Sequence, residues 1–302
     1  MSDRAVGNKG RSGSVGPSHT SILNGPHTAG HCRLGKGASG QRIETFGRRP
    51  FTVLLVHTVL ALGFGFLQTA NAAGAVTIAM TGSTETGMAQ VGQYVVTYSN
   101  GDDQVYSDSN QANALRIGFE LLNQFEGYEK YETAMEAYRY IDEIVAEGKE
   151  KCLPAAREWA EKYKDEPVFY VLASGPNYGV AYSMCCCHFM EMQWKHGVCL
   201  HTGEYFHGPF ETTDKDLPMV LLMSEGRTRV LDERCLTFLK KYTEKYIIID
   251  FKELNAGRIA PEIAEFFNPV VMIPVERYYV AQMAEVRGHS MDDRRYMWKV
   301  EY

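Results

Sequence analysis

The sequence has little positive charge where most of its mass lies. Its formal net charge is -6 over 302 residues, but residues 1 to 74 hold eight Lys or Arg against two Asp or Glu, which leaves the remainder near -12. A body that acidic carries no electrostatic footprint for a phosphate backbone, so nucleic acid is disfavoured as a partner. Regular cysteine spacing is also missing. The seven cysteines are Cys32, Cys152, Cys185, Cys186, Cys187, Cys199 and Cys235, three of them consecutive. Adjacent helical residues point about 100° apart, so that run cannot supply the spaced ligands of a zinc site, and no metal is expected. The odd, irregular set reads as small buried hydrophobes in a reducing compartment, which favours the cytoplasm. Finally, residues 1 to 50 lack what a core requires. They hold ten of the 28 glycines, one Phe and no Tyr or Trp. Such a segment cannot offset the entropy of ordering, so residues 1 to 65 are expected to stay outside the fold.

What is present is a globular composition, 45% hydrophobic and 23% charged, enough for one large or two modest domains. Arg48-Arg49-Pro50 precedes the apolar run Phe51 to Leu67 and then Ala70-Asn71-Ala72. Read literally, residues 48 to 72 have the parts of a signal peptide or membrane anchor. The basic region would be far too long, however, and His57 and two glycines interrupt the core, so membrane association is not expected. The alternative reading is a buried helix that turns through Gly74 into the strand Ala75 to Met80.

The body alternates strands with helices. Tyr94 to Tyr98 is a short β-branched and aromatic strand, and Ala114, Ile117, Leu121 and Phe125 recur at helical spacing. A second amphipathic run carries Tyr131, Met135, Tyr138, Ile141 and Val145. After Asp165-Glu166-Pro167, Val168 to Ala173 reads as a strand buried on both faces and enters the turn Ser174-Gly175-Pro176-Asn177. Strand, glycine turn and helix can aim backbone N–H groups at an anion, or the glycine can serve packing alone. The pattern continues with strand Met219 to Met223, helix Val230 to Tyr242, strand Tyr246 to Phe251, helix Ala260 to Phe267, strand Val270 to Ile273 and helix Val275 to Arg287. An α/β fold follows: a parallel sheet with helices on both faces, in two units divided near Asp165.

Two groups able to move protons at neutral pH stand out. Glu191 lies near a predicted helix end in Phe189-Met190-Glu191-Met192-Gln193-Trp194, and His207 follows sixteen residues later on the Gly/Pro-bounded loop Gly203-Glu204-Tyr205-Phe206-His207-Gly208-Pro209. Taken singly, an acid at a helix end is usually solvated and a lone histidine usually structural. Glu204 either orients His207 or faces solvent. His188, His196 and His201 have no positional support.

The run Tyr170 to Pro176, then Phe189-Met190-Glu191, Gly203-Glu204 and His207-Gly208-Pro209 with Glu211, resembles the second half of sugar isomerase (SIS) domain proteins. The spacing of Glu191 and His207 is similar to that in the isomerase half of glucosamine-6-phosphate synthase and in fructosamine-6-phosphate deglycases. Trp194, His196-Gly197 and the ending Asp292-Asp293-Arg294-Arg295-Tyr296 with Val300-Glu301-Tyr302 look like the deglycases in particular. The resemblance covers roughly residues 66 to 302 and is strongest after Asp165.

This resemblance implies a parallel αβα sandwich of the SIS type, with a partial first unit over residues 66 to 164 and a second unit over 165 to 302. It implies that Glu191 shuttles a proton at C1/C2 of an open-chain sugar and that His207 assists ring opening or general-base chemistry. In several members that histidine reaches a neighbouring subunit's site, so a homodimer or higher homo-oligomer is implied. Ser174, Gly175, Asn177 and Glu204 are the candidate substrate contacts. The implied reaction is cleavage of a fructosamine 6-phosphate to a hexose 6-phosphate and an amine, with no metal or organic cofactor. Two alternatives are an aldose–ketose or amino-sugar phosphate isomerase and a non-catalytic sugar-phosphate-binding module. A Ser/Thr-rich loop of Ser-x-Ser-Gly-x-Thr character holds the phosphate in the family's first unit. No such segment occurs here, and Thr81-Gly82-Ser83-Thr84 follows a later strand, so the first unit is expected to be incomplete and the activity of this chain impaired. Lys299, near where the synthase has a catalytic lysine, reads as a surface cation.

Overall fold

The computed structural model describes residues 53–56, 62–99 and 104–301. Most of the segment expected outside the fold, residues 1 to 65, lies outside these residues. Its end does not follow the expectation, because Val53–Val56 forms strand β1 and helix α1 starts at Leu62. The apolar run after Pro50 thus divides between a strand and the start of a helix. Helix α1, Leu62–Ala72, does turn through Gly74, at φ 80°, into strand β2, Val76–Thr81. Strand β3, Tyr94–Thr97, follows helix α2, Gly87–Val91, and the three strands pair in parallel in the order β1-β2-β3.

Helices α3, Asn110–Glu126, α4, Tyr131–Ala137, and α5, Ile141–Tyr163, connect this sheet to a second one. The start of α3 is fixed by Ser109, whose hydroxyl accepts from the Ala112 amide, and Gly127 at φ 72° ends it. The second sheet comprises β4, Val168–Ala173, β5, His196–His201, β6, Met219–Met223, and β7, Tyr246–Asp250. All its pairings are parallel, in the order β5-β4-β6-β7. The connecting helices are α6, Asn177–Ser183, which runs on as a π-helical segment over Met184–Met192, then α7, Thr202–Tyr205, α8, Arg229–Tyr242, and α9, Pro261–Arg287.

Alternation along the strands builds two core layers. Phe169, Val171 and Ala173 on β4 face Phe189, Trp159, Phe267 and Tyr279, contributed by the π segment, α5 and α9. Leu172 points the other way, with Met219, Leu221 and Met223 of β6, toward Tyr205 of α7 and Cys235 and Leu239 of α8. Each fully buried side chain of this size contributes about 1.5–3 kcal/mol, so the two layers together hold the sheet between helices. The result is the αβα sandwich expected from the alternation.

Two elements differ from the sequence reading. Val270 to Ile273, read as a strand, is the middle of α9, which continues through Pro269 and Pro274. A short apolar run suits a buried helix as well as a buried strand, and here Val270, Val271, Met272 and Val275 are all buried. Conversely, β5 is a strand that composition conceals, because His196-Gly197-Val198-Cys199-Leu200-His201 holds one β-branched residue in six. Gly197 is required there, since a Cβ at 197 would lie 2.7 Å from the Cys185 Cα. Among the described residues no helix is long and apolar enough to cross a membrane, and residues 48 to 52 and 57 to 61 of the signal-like stretch lie outside them.

Candidate active site

The turn after β4 brings Ser174, Gly175 and Asn177 together as a packed joint. Ser174 and Asn177 are completely buried. The Ser174 hydroxyl donates to the Thr228 carbonyl at 3.2 Å and lies 3.4 Å from Ser224 Oγ. Gly175 sits at φ 51°, where a Cβ would be 2.4 Å from Thr228 Oγ1. The amides of Asn177 and Tyr178 donate back to the carbonyls of Ser174 and Gly175, so neither points outward. Buried Asp232 completes the joint by accepting from the Ser224 amide and hydroxyl and from Thr202 Oγ1. The glycine therefore serves close packing between the loops after β4 and β6, and the first helical amides are used internally rather than offered to an anion.

Glu191 stands at the far end of the next helix. A π turn inserts one residue relative to an α-helix, and such turns recur at functional sites. The segment ends at Gln193, whose amide donates to the Phe189 carbonyl, and at Trp194, which adopts the left-handed φ of 54°. That conformation is costly for a residue with a Cβ and is held from outside. The Trp194 ring meets the His289 ring edge-on at 4.4 Å, and the Arg295 guanidinium lies 4.3 Å from its centroid. The Glu191 carboxylate, 24% exposed, forms an ion pair with Arg294 at 2.9 Å between Oε1 and Nη2.

One turn before Glu191, His188 Nδ1 lies 2.8 Å from Glu276 Oε2, and both residues are buried. Burial pushes the Glu276 carboxyl up, and the His188 imidazole partly offsets this. Burial also pushes the Cys187 thiol up, with the Glu191 charge adding to the effect. The six described cysteines are free, but only Cys185 and Cys235 are buried, so the reading of the set as buried hydrophobes holds for those two. A hydrogen bond with Cys199, followed by burial, holds the Cys185 thiol far above its usual range.

His207 lies beyond the opposite end of β5. Its side chain is exposed, as is that of Glu204, and the two residues meet through the His207 amide, which donates to the Glu204 carbonyl at 2.9 Å. The helix bearing Glu191 returns from the carboxyl edge of β4 to the amino edge of β5, whereas His207 follows the carboxyl edge of β5. Six strand residues at about 3.3 Å each separate the two edges by about 20 Å. Within one chain the fold does not bring the acid and the histidine together.

The remaining histidines divide by role. His201 Nδ1 accepts from the Gly203 amide at 3.0 Å and caps α7, His188 is committed to Glu276, and His196 is exposed. Arg294 escaped the sequence reading as a partner of Glu191, because 103 positions separate the two and no periodicity links them. Lys299 is exposed, and its ammonium donates to the Arg294 carbonyl at 2.5 Å. Among the described residues no group of three or more His, Cys, Asp or Glu side chains could hold a metal ion.

No protein-family model matches the chain. The fructosamine deglycase FrlB of Bacillus subtilis (strain 168) is 38% identical over 262 residues, 85% of this chain and 78% of that protein. The fructoselysine 6-phosphate deglycase of Escherichia coli (strain K12) is 30% identical over 140 residues, 46% of this chain and 40% of that protein. A structure assigned as a phosphosugar isomerase from Bacillus subtilis superimposes with a TM-score of 0.79 at 37% identity, covering 83% of this chain and 76% of that one. The C-terminal domain of glucosamine-fructose-6-phosphate aminotransferase from Francisella tularensis, at 15% identity, shares the fold with a TM-score of 0.62, covering 80% of this chain and 72% of that one. By its identity over most of both chains and by its parallel αβα architecture, this chain belongs to the sugar isomerase (SIS) family that includes the fructosamine deglycases.

Proposed function

We propose that the chain is a deglycase that cleaves a fructosamine 6-phosphate, such as fructoselysine 6-phosphate, to a hexose 6-phosphate and a free amine. In the open-chain ketosamine, Glu191 takes the proton from C1 and returns it at C2 while the amine N–H proton passes to the C2 carbonyl oxygen, which leaves a C2 hydroxyl and a C1 imine. Water adds to that imine, and His207 supplies the proton with which the amine departs. The single observation that carries this reading is the partly exposed Glu191 carboxylate, held by a buried arginine at the end of a π turn, in a chain 38% identical to a fructosamine deglycase.

The separation of about 20 Å along β5 means that a site using both groups draws His207 from a second copy. A homodimer is therefore part of the proposal. Its contact face is the helix covering edge strand β5, where Tyr178, Tyr182 and Met190 are exposed, with Trp194 just beyond its end. Ser174, Gly175 and Asn177 shape this unit rather than touch substrate, and exposed Glu204 sits with His207 at the partner's site. We take the chain as an incomplete first unit followed by a second unit from residue 165. We place the protein in the cytoplasm, in keeping with its free cysteines.

Incubation with fructoselysine 6-phosphate, followed by assay of glucose 6-phosphate and lysine, tests the reading. Both products should form in equal amounts and disappear in Glu191→Gln and His207→Ala. Interconversion of sugar phosphates without release of amine would replace it with an isomerase. Binding without turnover, unchanged by Glu191→Gln, would replace it with a binding module.

A further inference from the structure

We propose that Arg294 is a positioning residue for proton transfer, fixing the Glu191 carboxylate through one oxygen and leaving the other to the substrate. The inference rests on the reading of Glu191 as the proton-transfer group. A glutamate has three rotatable side-chain bonds, and moving a proton between adjacent carbons demands one oxygen in a defined place. Arg294 Nη2 contacts Oε1 at 2.9 Å, and the Glu191 side chain stays 24% exposed toward a bound sugar.

The guanidinium is itself held before it reaches the acid. Its Nη1 donates at 2.9 Å to the carbonyls of both Met291 and Asp293, and its side chain is 9% exposed. The Trp298 ring lies 5.7 Å from it, and Lys299 grips its carbonyl. One arm is thus spent on the tail and the other is presented to Glu191.

Tail docking does not require this pair. His289 Nε2 lies 3.0 Å from the Met192 carbonyl, and Gln193 donates to the His289 carbonyl at 3.0 Å, so the tail is fastened without Arg294. Stability does not require it either. The Arg294 Nε is buried with no partner, and burying a guanidinium beside a carboxylate costs desolvation that an apolar side chain would avoid. A buried guanidinium that the fold could do without, placed on the carboxylate that needs orientation, has a ready role in the reaction.

The test compares Arg294→Gln, Arg294→Lys and Glu191→Gln on fructoselysine 6-phosphate, with thermal unfolding and limited proteolysis of the tail measured alongside. Arg294→Gln should lower kcat at least about tenfold and change KM less than about threefold, the pattern of lost orientation rather than lost binding. Arg294→Lys, which keeps the charge but cannot reach the tail carbonyls and Glu191 together, should recover part of kcat, at least about threefold above Arg294→Gln. Tail proteolysis should be unchanged in both. Arg294→Gln with full kcat beside an inactive Glu191→Gln would overturn the inference and leave the reading of Glu191 standing. Equal loss in the Gln and Lys variants with a tail that has become protease-sensitive would overturn it in favour of a mere anchor. A fully active Glu191→Gln would remove both. Should Arg294→Gln fail to fold, the Lys variant decides by the same criteria.

Discussion

Asn268 supplies the hydrogen bond that Pro269 removes. A residue with an N–H at position 269 would donate to the Glu265 carbonyl, and Asn268 Nδ2 donates there instead at 2.8 Å. The same amide group donates to the Glu225 carbonyl and accepts from the Glu225 N–H, both at 2.9 Å, so one buried side chain stitches α9 to the loop after β6. Asn268→Ala would orphan three part-buried backbone groups at about 1 kcal/mol each. The expected result is a fall in Tm of about 5–10 °C. Asn268→Leu should lose as much, because refilling volume restores no hydrogen bond. A shift of less than about 2 °C in either variant would contradict this account of how α9 passes its proline.

Gly175 and Thr228 make a second prediction. Gly175→Ala places a Cβ on Thr228 Oγ1 in a left-handed backbone, so the strain and the collision add. The loss should be about 2–4 kcal/mol in urea unfolding. Adding Thr228→Ala should recover part of it, since Oγ1 and Cγ2 are gone and the backbone strain remains with a Cβ at 3.3 Å. Simple additivity of the two substitutions would show that the loops are not in contact as described.

The His188–Glu276 pair predicts a pH dependence. Burial raises the Glu276 carboxyl above its ordinary value of 4.5, so the folded state holds its proton more tightly than the unfolded chain. That contribution to stability is present in full below about pH 4.5 and is lost as pH rises through the folded value. Glu276→Gln cannot ionise and should lack this loss. The unfolding free energy of the parent, measured against Glu276→Gln from pH 4 to 7, should therefore fall with rising pH, by at most about 1.4 kcal/mol per unit. A difference independent of pH would show that burial does not control this carboxyl.

Much of this architecture is written in the residues, and the places where it is hidden have definite causes. Strand β4 is legible because Val168 to Ala173 is apolar throughout and bounded by Pro167 and Gly175. Strand β5 is hidden because its glycine answers to Cys185 on the neighbouring helix, a contact that spacing along the chain does not encode. The prolines at 269 and 274 suggest a short strand between them, since the donor that rescues the helix is a side chain packed on another loop. The site shows the same division. Glu191 and His207 are visible through their residue types and setting, but the strand that parts them and the tail arginine that grips one of them belong to the folded chain.

The claim on which the function depends is that one chain's Glu191 works with another chain's His207. Glu191→Gln and His207→Ala should each be inactive alone. Mixed, unfolded and refolded together, they should form hybrids in which the subunit with intact Glu191 receives an intact His207 from its partner. With random pairing into two-fold dimers, half the dimers carry one restored site of two, so about a quarter of the parent activity on fructoselysine 6-phosphate should return. A mixture no more active than the sum of its two components would contradict the shared site.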